Sequence, residues 1–279
     1  GTARILSATV RRTGGRWHVS FTVEVTRTIR TPAHPGRTVG VDVGVANLAV
    51  LSTGQVVPNP RHLAAAAARL RGAARTLSRR QGPDRRTGQQ PSRRWRQART
   101  RLAKAHARVA HLRADGLHKL TATLAATYGM VVVEDLNIKA MMANRRLARH
   151  IADAGWATLR RQLEYKTAWH GGRVVVADRW FASSKTCSSC GAVRPKLPLR
   201  VRTYTCQHCG LSLDRDHNAA LNLQQYVARS GRQTLNGRGA DRETTPVVAG
   251  GCETTTPHHL GGSDGDRRPA TADCNTSAH

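Results

Sequence analysis

Apolar and polar positions alternate along residues 3–30, putting Trp17, Val19, Phe21, Val23 and Val25 on one face, and this predicts two or three strands around Gly14-Gly15. Pro32 and Pro35 are expected to break that pattern. A compact unit follows, with apolar runs at 39–43, 48–51 and 56–57 separated by turn residues at 44–47 and by Thr53-Gly54. Residues 61–80 are rich in Ala and Arg and predict a helix, and the loop 81–91 contains Gly82-Pro83 and Gly88. From Ser92 to about Tyr128 a longer helical pattern runs, with Leu102, Val109, Leu112, Leu120 and Leu124 forming a stripe opposite Arg101, Lys104, Arg108 and Arg113 until Gly129 ends it. The unbroken apolar runs 130–133 and 174–176 suit strands covered on both faces, while 156–169 and 219–228 read as helices. Hairpins first, then strands alternating with helices, predict an α/β domain with a mixed sheet.

Charge narrows the function. The 279 residues carry 45 Lys or Arg against 17 Asp or Glu, a net charge of +28. Residues 61–120 alone hold 17 of those cations against Asp84 and Asp115. A field this dense and of one sign releases condensed counterions on meeting a polyphosphate, whereas a surface that is merely soluble mixes both signs. Arg79, Arg80, Arg93, Arg94, Arg101, Lys104, Arg108 and Lys185 are the expected nucleic-acid contacts. No run approaches the roughly 18 apolar residues of a membrane span, and no secretory leader opens the chain. Residues 231–279 have five Arg, six acids and many Gly, Thr and Ser, and are expected to be a disordered tail. Because the first residue is Gly1 and strand alternation begins at once, the expectation is a fragment whose upstream part is missing.

Only eleven carboxylates lie in residues 1–230, and two of them stand inside apolar strands. Asp42 lies between Val41 and Val43, and Glu134 follows Val131-Val132-Val133. An unpaired carboxylate in a sheet interior costs several kcal/mol, so each marks a metal, a partner cation or catalysis; a salt bridge to one of the many arginines is the plain alternative. A third candidate lies in Asp214-Arg-Asp216-His-Asn, where a helix begins and where Asp214 or Asp216 could simply cap it. Taken with the other two, that acid would complete a centre holding two Mg²⁺ about 4 Å apart, a geometry suited to phosphodiester hydrolysis.

Cys187-Ser-Ser-Cys190 and Cys206-Gln-His-Cys209 are separated by fifteen residues. Four thiolates on two tight knuckles, each followed by Gly191 or Gly210, match a closed tetrahedral zinc site of structural type. His208 and His217 are read as non-ligands, and Cys252 and Cys274 as free thiols.

The motifs Val39-Gly-Val-Asp42-Val-Gly-Val-Ala-Asn-Leu48, Val132-Val-Glu134-Asp-Leu-Asn137, Arg179-Trp-Phe-Ala-Ser-Ser-Lys-Thr-Cys-Ser-Ser-Cys-Gly191 and Asp214-Arg-Asp216-His-Asn-Ala-Ala-Leu-Asn222 resemble the TnpB (OrfB) family. Its members are transposon-associated proteins akin to the compact type V CRISPR nucleases. The resemblance covers about residues 3–228. It implies a RuvC-like, RNase H-type nuclease domain with a zinc ribbon inserted between its last strand and last helix. It assigns Asp42, Glu134 and Asp216 as the catalytic acids, with Asp214 the lesser choice for the third. It also implies RNA-guided cleavage of DNA in the bacterial cytoplasm, with target DNA and a guide RNA as partners. The implied organisation is the last part of a β-rich wedge domain at 1–35, a nuclease domain at 36–182 with the helical insertion at about 61–128, the ribbon at 183–213, and the final motif at 214–230. Guide binding is expected to rest largely on the family's N-terminal region, which precedes the segment matched here. Two other classes stand beside the nuclease: a non-catalytic nucleic-acid-binding regulator of transposition, which needs the basic surface and ribbon but not the acids, and a strand-transferring transposase, which uses a similar carboxylate cluster.

Overall fold

The computed structural model describes residues 3–13, 16–26, 28–198 and 200–233. The expected tail begins at the edge of the described residues and, with Cys252 and Cys274, lies otherwise outside them. Among the described residues no helix is long and apolar enough to cross a membrane.

Alternation at the start of the chain yields two strands, β1 (Ala3–Thr13) and β2 (Arg16–Val25), paired antiparallel. Their apolar face is uncovered: Trp17 is 68% exposed and Phe21 58%. The next strand, β3 (His34–Val43), runs through Pro35, which does not break it. Pairing is irregular there, between His34 and Thr38, so the missing proline N–H interrupts no regular ladder.

β3 is the centre of a five-stranded sheet with β4 (Asn47–Leu51), β5 (Val56–Pro58), β6 (Tyr128–Glu134) and β7 (Arg173–Ala177), in the order β5-β4-β3-β6-β7. The β3–β4 and β4–β5 pairs are antiparallel, and β3–β6 and β6–β7 are parallel. Among the described residues six helices accompany the strands: α1 (His62–Ser78), α2 (Arg93–Thr127), α3 (Ile138–Met142), α4 (Ala148–Ala154), α5 (Trp156–Trp169) and α6 (Arg215–Gln233). A small ribbon, β8 (Thr203–Thr205) with β9 (Ser212–Asp214), precedes α6.

Strand pleating sorts the side chains into two layers. Val39, Val41, Val131 and Val133 bury themselves against Leu117, Leu124, Leu159 and Leu163 of α2 and α5. On the opposite face Val132, Ala177 and Leu223 pack together under α6.

α2 begins where expected, with the Ser92 hydroxyl accepting the Trp95 N–H. It ends at Thr127, and Gly129 lies within β6 instead of closing the helix. Its buried stripe also differs from the expected one. Leu112 is 42% exposed, and Arg113 turns inward to an ion pair of 2.9 Å with Asp153. The cause is that α2 serves two neighbours. Its first half packs Ala105 and Val109 on Leu70 of α1, its second half packs Leu117 and Leu124 into the main core, and the Arg113–Asp153 pair lies at the junction. Asp153 also accepts the Leu63 N–H at the start of α1, satisfying a donor that the helix itself leaves unpaired.

α6 lies directly on the backbone of β3. A Cβ at Gly40 would stand 2.0 Å from the Ala220 carbonyl oxygen and 2.5 Å from the Gln224 nitrogen. Gly40→Ala must therefore lift a whole helix, and it is expected to cost more than about 3 kcal/mol in denaturant unfolding. Gly36→Ala, with nothing within 4 Å of the added carbon, is expected to cost far less; equal effects would contradict this packing. Asp153→Ala strands a half-buried guanidinium and an N–H together, for an expected loss of about 2–4 kcal/mol, with a smaller loss for Asp153→Asn. Unfolding midpoints of the two variants test this directly.

Candidate functional site: an acidic cleft beside a four-cysteine knuckle

Val41 pairs with Val133 across parallel strands, so the next residues, Asp42 and Glu134, stand side by side at the carboxyl ends of β3 and β6. Both belong to the face that α6 covers. Asp216 arrives from the first turn of α6. Asp42, Glu134 and Asp216 line one cleft of about 260 Å³, together with Arg202, Arg215 and Trp156.

The two acids of the ribbon-to-helix turn divide their work. Asp214 Oδ1 accepts the N–H groups of Asp216 and His217, at 2.9 and 3.0 Å, and so caps the helix. Asp216 is thereby free to face the cleft.

The cleft holds more negative charge than its surroundings offset. Burial, then the Glu134 and Asp216 carboxylates, raise the Asp42 carboxyl well above its ordinary value. Asp42 makes no ion pair among the described residues. Burial also raises Glu134, against the lowering influence of Ser183 and Arg215. Asp216 is raised by burial as well, although Arg202 stands 3.5 Å away and draws it down. Two buried donors of cleft residues, Trp156 Nε1 and Arg215 Nε, have no hydrogen-bond partner among the described residues. Such a pocket wants cations for its carboxylates and acceptors for its donors.

Ser183, Arg202 and Arg215 were not singled out from the sequence. The Ser183 hydroxyl donates to Glu134 Oε1. Ser183 is in turn tied to α6, because Asn222 Nδ2 donates to the Ser183 and Thr186 carbonyls at 2.8 and 2.7 Å. Asn218 donates to Thr186 O and accepts the Ser188 N–H. Asn218 and Asn222 are completely buried, one turn apart between Ala219, Ala220 and Leu223. Two asparagines four residues apart on the apolar side of a helix are the available sequence signal. Beyond Glu134, Asp135 is held low by its hydrogen bonds from Arg179, with Arg160 adding to the effect.

The segment clasped by the asparagines carries the first cysteine knuckle. Cys187 and Cys209 sulfurs are 3.6 Å apart, as are those of Cys190 and Cys206, and all four lie within 4.8 Å of one another. A tetrahedron of sulfurs at about 2.3 Å from a central zinc has edges of about 3.8 Å, whereas a disulfide would need about 2 Å. Each knuckle closes with a glycine N–H returning to the first cysteine carbonyl, Gly191 to Cys187 and Gly210 to Cys206. Both glycines have φ in the left-handed region, +78° and +74°. The backbone N–H groups of Cys209 and His208 lower the Cys206 thiol to about 6. Cys190, despite an N–H from Ala192, is pushed up to about 12 by desolvation and its sulfur neighbours. Four thiols this close cannot all ionise without a cation among them. His217 instead turns its ring toward the Ser52 carbonyl.

The eight basic residues expected to meet nucleic acid, Arg79, Arg80, Arg93, Arg94, Arg101, Lys104, Arg108 and Lys185, are all exposed. None makes an ion pair among the described residues. Five of them lie on α2, Arg79 and Arg80 directly follow α1, and Lys185 is beside the acidic cleft.

The OrfB_IS605 family, described as "Probable transposase", matches residues 20–145, and the "Cas12f1-like, TNB domain" family matches 156–223. A Streptomyces pristinaespiralis protein named "Putative RNA-guided DNA endonuclease" is 46% identical over 215 residues, covering 76% of this chain and 50% of that protein. Proteins of the same printed description from Mycobacterium tuberculosis H37Rv and Escherichia coli K12 (InsQ) are 41% and 30% identical, covering 91% and 88% of this chain. The chain spans 56% and 63% of their lengths, so it represents roughly half of each relative. Two family matches in the expected order, together with these relatives, identify the chain as a member of the TnpB (OrfB) family of transposon-associated proteins.

Proposed function

We propose that this chain is the catalytic portion of a DNA endonuclease, an RNase H-like domain that hydrolyses phosphodiesters at Asp42, Glu134 and Asp216. The observation that carries the reading is the cleft itself, where acids from β3, β6 and α6 meet, burial and then the Glu134 and Asp216 carboxylates raise the proton affinity of Asp42, and Asp42 makes no ion pair among the described residues. Asp42, Glu134 and Asp216 would hold two Mg²⁺ ions, which when bound would supply Lewis acidity toward the attacking water and the leaving oxygen. The protein's part is positioning. Ser183 holds one oxygen of Glu134 and leaves the other for a ligand. Arg202 and Arg215 stand on the cleft wall, where phosphate oxygens enter.

The four-cysteine cluster is the site of one structural zinc ion, which binds the ribbon to α6 through the segment that Asn218 and Asn222 clasp. The exposed cations of α1 and α2 are read as a track for the nucleic-acid backbone. The relatives' names support DNA as substrate and a guide RNA as partner, the guide being engaged by the whole protein of which this chain matches about half. The same setting supports a cytoplasmic protein.

Asp42→Ala is expected to lower Mg²⁺-dependent cleavage of DNA by more than about a hundredfold while the fold persists; undiminished cleavage would refute the assignment. A second readout needs no activity. A carboxyl raised in the folded state favours folding below its unfolded pKa, and that advantage disappears as pH rises through the folded value. Without divalent ions, stability should therefore fall as pH climbs from the carboxylate range toward neutrality, and Asp42→Asn should flatten the fall and raise the melting temperature at pH 7 by a few degrees. Mg²⁺ should raise the melting temperature of the native chain but not of that variant. Cys187→Ser is expected to lower bound zinc below one equivalent and the melting temperature with it, measured by elemental analysis and thermal unfolding.

A further inference from the structure

Trp180 is 85% exposed, more than any other large apolar side chain among the described residues. It lines a second cleft, of about 320 Å³, which shares Glu134, Leu136 and Ser184 with the acidic cleft and includes Lys185. This exposed indole lines the same cleft as Glu134, a proposed catalytic acid.

The turn that presents Trp180 is tightly fixed. Asp178 Oδ1 accepts the Trp180 N–H at 2.8 Å, and the Asp178 N–H reaches the Tyr226 hydroxyl on α6. Phe181 packs edge-on against Tyr226 with ring centroids 5.0 Å apart, and its N–H returns to the Asp178 carbonyl. Arg179 is locked to Asp135, while Lys185, lining the same cleft, is exposed and makes no ion pair among the described residues. Hydrogen bonds and packing thus hold one solvent-facing aromatic surface in a cleft that it shares with an exposed cation and that adjoins the acidic cleft at Glu134.

We propose that Trp180 is a stacking platform for one base of a DNA single strand entering the acidic cleft, with Lys185 meeting the adjacent phosphate. The choice of a single strand follows from the geometry of stacking, since only an unpaired, unstacked base offers a free face to an indole. The proposal takes its ligand from the nuclease reading above, and its test is independent of cleavage.

Affinity for a short labelled DNA single strand and for the matching duplex is measured without added divalent ions, for the native chain, Trp180→Ala and Trp180→Phe. Trp180→Ala is expected to weaken single-strand binding about five- to 150-fold, corresponding to one stacked base, with duplex binding nearly unchanged. Trp180→Phe should restore most of the loss, and an abasic residue at one position of the strand should make the native chain behave like Trp180→Ala. Unaltered melting temperatures verify that all variants fold. Equal single-strand affinity of Trp180→Ala and the native chain, an equal loss on the duplex, or no rescue by Phe would overturn the proposal. Stacking without any Mg²⁺-dependent cleavage would sink the nuclease reading and leave the platform standing.

Discussion

Contact between the backbone of α6 and that of β3 is the constraint on which the cleft depends. Only a residue without Cβ at position 40 lets the helix come so near. That approach carries Asp216 to the strand ends where Asp42 and Glu134 already stand together. Three like charges are then confined in a partly dry pocket, an arrangement that is unfavourable in the unliganded protein and becomes favourable once cations bind. In the proposed function this electrostatic strain, held by the rest of the fold, is what recruits the cations.

The cysteine knuckles extend the same logic. The loop 183–188 contributes a hydroxyl to Glu134, a sulfur to the four-thiol cluster and three backbone groups to the buried asparagines of α6. A change at the sulfurs therefore reaches the acids through a few hydrogen bonds whose loss would leave buried polar groups unpaired. In the proposed scheme zinc contributes no chemistry of its own; it fixes the loop that orients a catalytic carboxylate.

Much of this was legible in the chain itself. Acids set in valine runs stood out because an apolar strand has no ordinary use for a carboxylate, and the paired C-x2-C spacing left few readings other than metal. The five strands of the main sheet and four of the six helices also follow from periodicity, though α3 and α4 are too short to show one. Other features depend on tertiary contacts that a linear pattern does not encode. Arg113 read as an outward cation, and Leu112 as buried, because a single stripe was assumed along a helix that packs on two different neighbours. Pro35 read as a strand breaker because irregular pairing with β6 is a property of the partner strand. Whether Asp214 or Asp216 enters the cleft was likewise undecided by spacing alone, and the cap hydrogen bonds of Asp214 separate their roles.

The central claim is that the cleft is a site for two divalent ions. Crystals of the protein grown with Mn²⁺ test it most directly, through anomalous scattering at the manganese edge. The account predicts two peaks bridged by the carboxyl groups of residues 42, 134 and 216, both lost in Asp42→Ala. A cleft without manganese, its acids paired instead with Arg202 and Arg215, would contradict it.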